Sequence, residues 1–282
     1  MPQSKKAQDT ILKTIVLIVS IILAAMSLLP FIIMIINSTR STYEIQQHAV
    51  SFIPSKYLIS NFKILTGKSF NPLRGFLNSL ILSGGVTGLA LYFSTLTAYG
   101  LVMYDWKAKK AFFSFIMAIM MIPSTITIIG FYQMVYKLHM ANRLIVLILP
   151  AIASPSLVFF MRQYMKPAVS PSLVESARID GAKEFFTFNA IVLPIMKPAI
   201  ATQAIFCFVS SWNELFRPLI LLTKQDKYTL PIMISLLKGD IYKTEYGSIY
   251  LGLTLTALPL IIVYFILSKY IVAGVALGSV KG

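Results

Sequence analysis

The residues best equipped for chemistry fall in two clusters. One is Glu175-Ser176-Ala177-Arg178-Ile179-Asp180-Gly181, a charged stretch at helical spacing that ends in a glycine. The other is Trp212-Asn213-Glu214-Leu215-Phe216-Arg217, where a carboxylate and a guanidinium interrupt an apolar run. Neither has the makings of a covalent or metal site. The single cysteine, Cys207, cannot form an internal disulfide and cannot seed a metal cluster. His48 and His139 are far apart and lack clustered ligand partners; Glu44, four residues before His48, is the one nearby carboxylate. There is no G-x-x-x-x-G-K-[ST] phosphate loop. What remains is non-covalent chemistry: docking of a soluble partner on the first cluster, and polar contact with a solute on the second.

Both clusters sit in a chain built for a membrane. Of 282 residues, 57% are hydrophobic and 12% charged, against about 25% charged in soluble domains. The net charge of +15 fits basic loops beside anionic lipid headgroups. No basic-aromatic module points to nucleic acid.

A membrane-crossing helix needs roughly 20 mostly apolar residues. Six segments qualify or come close: 14–36, 76–103, 111–136, 144–161, 198–222 and 246–268. The fourth is short, and the fifth carries Glu214 and Arg217. The expected fold is therefore all-α: one polytopic transmembrane domain over residues 1–282, with a polar loop at about 168–194 between spans four and five. The first span follows Lys5, Lys6 and Lys13 like a signal peptide. Its apolar core far exceeds the about 7–15 residues of a signal peptide, so it reads as a retained anchor.

The 25 Lys and Arg divide almost evenly between the two sides, so the bulk count decides nothing. The basic N-terminus and the short Trp106-Lys107-Ala108-Lys109-Lys110 loop favour an N-terminus inside. Six spans then return the C-terminus to the cytoplasm, and the Glu175 loop falls there too. The outside segments 37–75 and 223–245 are long. No internal repeat, low-complexity tract or soluble domain is evident.

Within the loop, Pro171 suits the first turn of a helix and Ser170 is its N-cap candidate. Glu175 lies near the positive end of that helix. Leu173 and Ala177, with Val174, share one side. Gly181 permits a turn that a Cβ would resist. A second short helix then runs through Phe185, Phe186 and Phe188 toward Pro194. On composition alone this is either a docking element or an amphipathic hairpin that only connects two spans.

The spacing is more specific than the composition. Glu175-Ser176-Ala177-x-x-x-Gly181, followed after nine residues by Ile191-Val192-Leu193-Pro194, resembles the motif E-A-A-x-x-x-G-x(9)-I-x-L-P. That is the coupling motif of the permease subunits of bacterial ATP-binding-cassette (ABC) importers. Ser176 stands where the motif has Ala and is equally small. Trp212-Asn213-Glu214-Leu215-Phe216-Arg217-Pro218-Leu219 is similar to the W-N-x-[FL]-x-x-P-L pattern of carbohydrate permeases, and Tyr228-Thr229-Leu230-Pro231 to the segment after it. The Gly274–Gly282 ending resembles that family's glycine-rich tail closing in V-K-G. The chain thus resembles, over essentially its whole length, the smaller six-span permease of maltose-type importers.

The resemblance implies a non-catalytic subunit of a bacterial plasma membrane. Its partners would be a second homologous permease, two ATPase subunits and an extracellular solute-binding protein, within membrane lipid. The chain itself would bind no cofactor; ATP and Mg would sit on the partner ATPases. Glu175, Ser176, Ala177, Asp180, Gly181, Ala182, Ile191, Leu193 and Pro194 would form the ATPase-coupling element, with Glu175 its charged contact. The 223–245 loop would reach toward the binding protein, and the tail toward the ATPases.

Asn213 and Glu214 are candidates for the solute path, where polar groups bond sugar hydroxyls. The alternative is that Glu214 and Arg217, three apart on one helix face, form a structural ion pair. The polar and small residues Asn78, Ser79, Ser83, Gly84, Gly85, Thr87 and Gly88 read as close helix packing. Three other functions compete. A secondary transporter usually carries several intramembrane carboxylates and internal repeats; here there is Glu214 and no repeat. A membrane enzyme acting on lipids needs a catalytic set at one membrane face. A purely structural assembly factor would tolerate loss of Glu175.

Overall fold

The computed structural model describes the backbone of residues 2–67, 71–237 and 244–279, with side chains for 11–67, 71–123, 126–236 and 244–266. Several sequence features fall outside the described side chains: Lys5 and Lys6, residues 238–243 of the 223–245 segment, Ser268, and the Gly274–Gly282 tail. The described elements are all helical. In order they are α1 (Pro2–Ser38), α2 (Thr42–Gln47), α3 (Leu58–Gly67), α4 (Pro72–Met103), α5 (Lys109–Met120), α6 (Ser124–Lys137) and α7 (Leu144–Ile148) with a 3₁₀ turn. Then come α8 (Pro155–Ala168), α9 (Pro171–Ile179), and α10 (Glu184–Phe186), which runs through a π-turn into α11 (Leu193–Ile195). The rest are α12 (Lys197–Trp212), α13 (Phe216–Leu221), a second 3₁₀ turn, α14 (Leu230–Leu237) and α15 (Tyr246–Ser279).

Among the described residues, four helical runs are long and apolar enough to cross a membrane: Ile11–Ser38, Pro72–Met103, Leu144–Ala168 and Tyr246–Ile266. A fifth arises if Glu184–Ile195 and Lys197–Trp212, bent by 78° to each other, form one span. Prolines explain where this departs from the hydropathy reading. The expected span 111–136 is two helices, because Pro123 cannot donate to Ile119 and its ring crowds that carbonyl; α5 ends at Met120 and α6 restarts at Ser124. The expected span 198–222 likewise breaks at Asn213–Leu215. Pro218 sits four residues after Glu214 and tolerates only the first turn of a new helix. Pro150 and Pro155 divide 144–161, and the helix beyond them continues to Ala168.

The chain forms two compact units. The first comprises residues 1–70 and 234–257. Its polar knot lies just after α1. Buried Arg40 donates to the Asn37 side chain (2.9 Å) and to the carbonyls of His48 (2.7 Å) and Glu44 (2.9 Å). Asn61 Nδ2 donates to the carbonyls of Ser38 and Arg40. Ser41 and Glu44 close a reciprocal capping box on α2, and the Ser41 backbone N–H holds the Glu44 carboxyl below its ordinary range. The carboxylate beside His48 thus serves the backbone. Gly247 leaves room for this knot, since a Cβ there would overlap the Arg40 carbonyl and the Asn61 amide.

The second unit comprises residues 71–233 and 258–282, and α4 is its centre. Asn71 caps α4 by accepting from the Arg74 N–H, with Pro72 following. The helix packs on α8 and α12. Ala90, Leu91, Ala98 and Tyr99 of α4 are buried with Met161 and Met165 of α8, and with Phe188, Val192, Met196 and Ala199. The polar residues of α4 divide by use. Asn78 Nδ2 donates to the carbonyls of Asp226 and Tyr228 (3.0 and 2.9 Å), and Ser79 Oγ accepts from Leu230 N (2.9 Å). They fasten the start of α4 to the 226–230 segment. Gly85 meets the expected close packing, because a Cβ would press on Ile148; Gly84 and Gly88 have nothing nearby.

Candidate functional site

The polar loop is built in two limbs joined by a glycine turn. α9 starts with Pro171, and Ser170 occupies the N-cap position. The Ser170 hydroxyl pairs with Ser172 Oγ (2.7 Å) rather than capping a backbone N–H. α9 ends in a Schellman turn: Ala182 N donates to Ala177 O (2.9 Å), Gly181 N to Arg178 O (3.0 Å), and Gly181 has φ +80°. Beyond it the second limb, α10 to α11, widens into π geometry over Thr187–Val192. Pro194 cannot donate to the Ala190 carbonyl, and the wider turn absorbs that loss.

The loop has an inner and an outer face. Val174 and Ala177 are buried, and Val174 joins Met161, Met165, Val169, Phe188 and Val192 in the core of the second unit. The expected apolar side is corrected in one position: Leu173 points away and is 40% exposed. Facing solvent are Glu175, Ser176, Asp180 and Gly181, together with Ile179 (85% exposed), Phe185 (69%) and Phe186 (60%). Ala182, Ile191 and Leu193 are half-buried and Pro194 is exposed. Among the described residues the Glu175 side chain makes no hydrogen bond or ion pair.

A charged clasp that the sequence reading missed holds the limbs together. Arg178 Nε donates to Glu184 Oε1 at 2.6 Å. Tyr99 OH, from α4, donates to Glu184 Oε2 at 2.8 Å. The Arg178 guanidinium lies over the Tyr104 ring at 4.9 Å. Hydrogen bonds from Arg178 and then Tyr104 push the Glu184 carboxyl down to about 2, and the same carboxylate raises Arg178 further above its already high range. The signal available in sequence was a pair of opposite charges six apart across a turn-forming glycine.

The second cluster lines a cavity of about 450 Å³ between α12 and the start of α8. Glu214 and Arg217 both reach it; Asn213 is exposed and is not among its lining residues. The two charges do not pair side chain to side chain. Glu214 Oε1 instead accepts from the Arg217 backbone N–H at 3.5 Å. Among the described residues, no group of three His, Cys, Asp or Glu is placed to hold a metal ion.

A family model described as the binding-protein-dependent transport system inner membrane component matches residues 90–277, more than half the chain. The chain belongs to that family. Its relatives match nearly the whole chain. The arabinooligosaccharides transport system permease protein AraQ of Halalkalibacterium halodurans is 33% identical over 280 residues, covering 99% of this chain and 100% of that one. The lactose transport system permease protein LacG of Rhizobium radiobacter is 32% identical, with 92% of each chain covered. The trehalose/maltose transport system permease protein MalG of Thermococcus litoralis is 28% identical, covering 98% and 99%. In fold the chain is similar to a crystal structure of a bacterial ABC transporter involved in the import of the acidic polysaccharide alginate. That match has a TM-score of 0.79 at 22% identity and covers 94% of this chain and 98% of that one. As a member of this family the chain is a non-catalytic permease subunit and a multi-pass membrane protein. The enzyme and secondary-transporter readings fall with that membership.

Proposed function

We propose that this chain is one of the two permeases of an ATP-driven importer for a sugar or oligosaccharide, and that its Glu175 loop transmits the ATPase stroke. The observation that carries the reading is the outer face of the loop. It offers an unpaired carboxylate on α9, one helical turn from Ile179, with Phe185 and Phe186 on the second limb, all three apolar side chains well exposed, on a scaffold tied into the core by Val174 and the Arg178–Glu184 clasp. Isolated exposed apolar residues are ordinary, but three large ones on one short polar loop favour a contact surface. The partner would be an ATPase subunit that receives Glu175, Ser176, Ala177, Asp180, Gly181 and Ala182 in a groove. Ile191, Leu193 and Pro194 would pass the motion to α12. Closure of the ATPase pair would then rock the spans between inward-open and outward-open arrangements.

Sugar cargo is supported by the names of the relatives' transport systems, which are for arabinooligosaccharides, lactose and trehalose/maltose. In this reading residues 1–282 form one six-span domain. α5 with α6 would make the third span and α12 with α13 the fifth, each interrupted by its proline. Both termini would be cytoplasmic, in a bacterial plasma membrane. Glu214 would face the solute path. ATP and Mg would be bound by the partners alone. The test is purification of the tagged chain from its native membrane in mild detergent, with mass spectrometry of what accompanies it. A second permease, an ATPase and an extracellular binding protein are expected. Recovery of the chain alone would overturn the assignment.

A further inference from the structure

The wall of the α12 cavity is polar in an ordered way. Gln203, Cys207, Ser210 and Ser211 of α12 line it at offsets of 4, 7 and 8 residues, one stripe along a single helix face, and Glu214, just past the helix end at Trp212, extends the same wall. Across the cavity, Ser154 and Ser156 flank Pro155 at the start of α8. An apolar membrane helix gains nothing from such a stripe against lipid, where each unpaired polar group is costly.

Nor does the stripe pair within the protein. Among the described residues, the side chains of Gln203, Ser210, Ser211, Ser154 and Ser156 make no hydrogen bond, and Glu214 accepts only the 3.5 Å contact from its own turn. These groups are therefore open to water or a solute. The set mixes donors and acceptors: hydroxyls do both, the Gln203 amide does both, Glu214 accepts and Arg217 donates. One positive and one negative charge leave the lining without a net preference for ions. Phe206, 65% exposed, adds an aromatic face to the same lining. Its size, and convergent polar groups beside apolar and aromatic ones, are those of a small-molecule site.

We propose that this cavity is a solute subsite carried by this permease itself, specific for a neutral, hydroxyl-rich ring. Gln203, Ser210, Glu214 and Ser156 bond the hydroxyls, and Phe206 covers the apolar face of the ring. The proposal rests on the reading of the chain as a sugar importer's permease. It adds that this half of the path selects the solute and that Asn213 is not part of the selection.

The chain's only cysteine is a built-in reporter, because Cys207 lines the cavity. The experiment uses the whole importer in proteoliposomes, with labelled arabinotriose, raffinose, maltotriose and trigalacturonate as probes. Uptake is measured with and without ATP, and mass spectrometry follows modification of the Cys207 peptide by N-ethylmaleimide. The neutral sugar that is taken up is expected to slow Cys207 modification about tenfold, with no effect of trigalacturonate; Gln203→Leu with Glu214→Gln is expected to lower uptake of that sugar about tenfold and to remove the protection. An imported sugar that leaves the Cys207 rate unchanged in the unaltered chain, or equal protection by trigalacturonate, overturns the subsite even if the double variant fails to fold. Protection of Cys207 with uptake that needs no ATP overturns the importer reading and leaves the subsite standing.

Discussion

Arg178 and Glu184 close on each other across the Gly181 turn, with Nε 2.6 Å from Oε1. Glu184 in turn accepts from Tyr99 at 2.8 Å, so a contact between two short limbs also anchors them to α4. Both side chains are about a third to a half exposed (35% and 46%), and ion pairs that wet stabilise by no more than about 1 kcal/mol. The pair matters for position: it fixes the angle at which Glu175 and Phe186 are presented.

Charge reversal at either position should therefore disturb coupling more than folding. Arg178→Glu or Glu184→Arg is expected to lower ATP-driven uptake about five- to tenfold, as loss of about 1–1.4 kcal/mol of orientation would. The exchanged double variant should recover most of it. Uptake in proteoliposomes decides this. A double variant as poor as either single one would show that the clasp is incidental.

Tyr99→Phe removes one hydrogen bond to a charged acceptor, a loss of about 1.5–3 kcal/mol at the loop's attachment. The expected result is faster amide exchange over residues 182–188 with little change in α4 beyond the last turn. Equal protection in both proteins would place the anchor elsewhere, in Val174 and Phe188.

Gly181 has φ +80° and open space where a Cβ would stand. A substitution there is opposed by backbone conformation and not by crowding. Gly181→Asn should be tolerated better than Gly181→Val, because Asn visits the left-handed region with less strain. The expected loss is about 1 kcal/mol or more for Val, read as decreased uptake at equal membrane abundance. Equal behaviour of the two variants would contradict the turn geometry.

The Glu184 carboxyl is pushed down to about 2 in the folded chain from an ordinary 4.5. A depressed carboxyl stabilises the fold above its unfolded value and loses that contribution as pH falls through the folded one. Attachment of the loop should accordingly be constant from pH 8 to pH 5 and weaken only below about 4.5. Hydrogen exchange over residues 178–186, corrected for intrinsic rates, measures it. A transition near pH 6 would point to a different titrating group.

What could be read from the sequence was local. Pro171 at a helix start and Gly181 at its end specify the first limb because those residues act through their own backbones. The burial of Val174 in place of Leu173 was not readable: the wall that meets α9 comes from other elements, α8 and the Phe188 and Val192 limb, whose placement local spacing does not give. Hydropathy windows found the apolar segments but passed over Pro123 and Pro218, which break two of them without changing their composition. Arg178 and Glu184 become a pair only once the chain is known to reverse between them. Asn213 and Glu214 are neighbours in sequence, yet the helix ends at Trp212, so only Glu214 faces the cavity.

The most direct test of the central claim is a single substitution, Glu175→Lys, in the reconstituted importer, with ATP hydrolysis and labelled-sugar uptake measured on the same vesicles. The variant is expected to insert normally and to lose uptake per ATP hydrolysed, because the unpaired carboxylate is the charge offered to the ATPase. Uptake per ATP equal to that of the unaltered chain would contradict the assignment and reduce the loop to a connector between two spans.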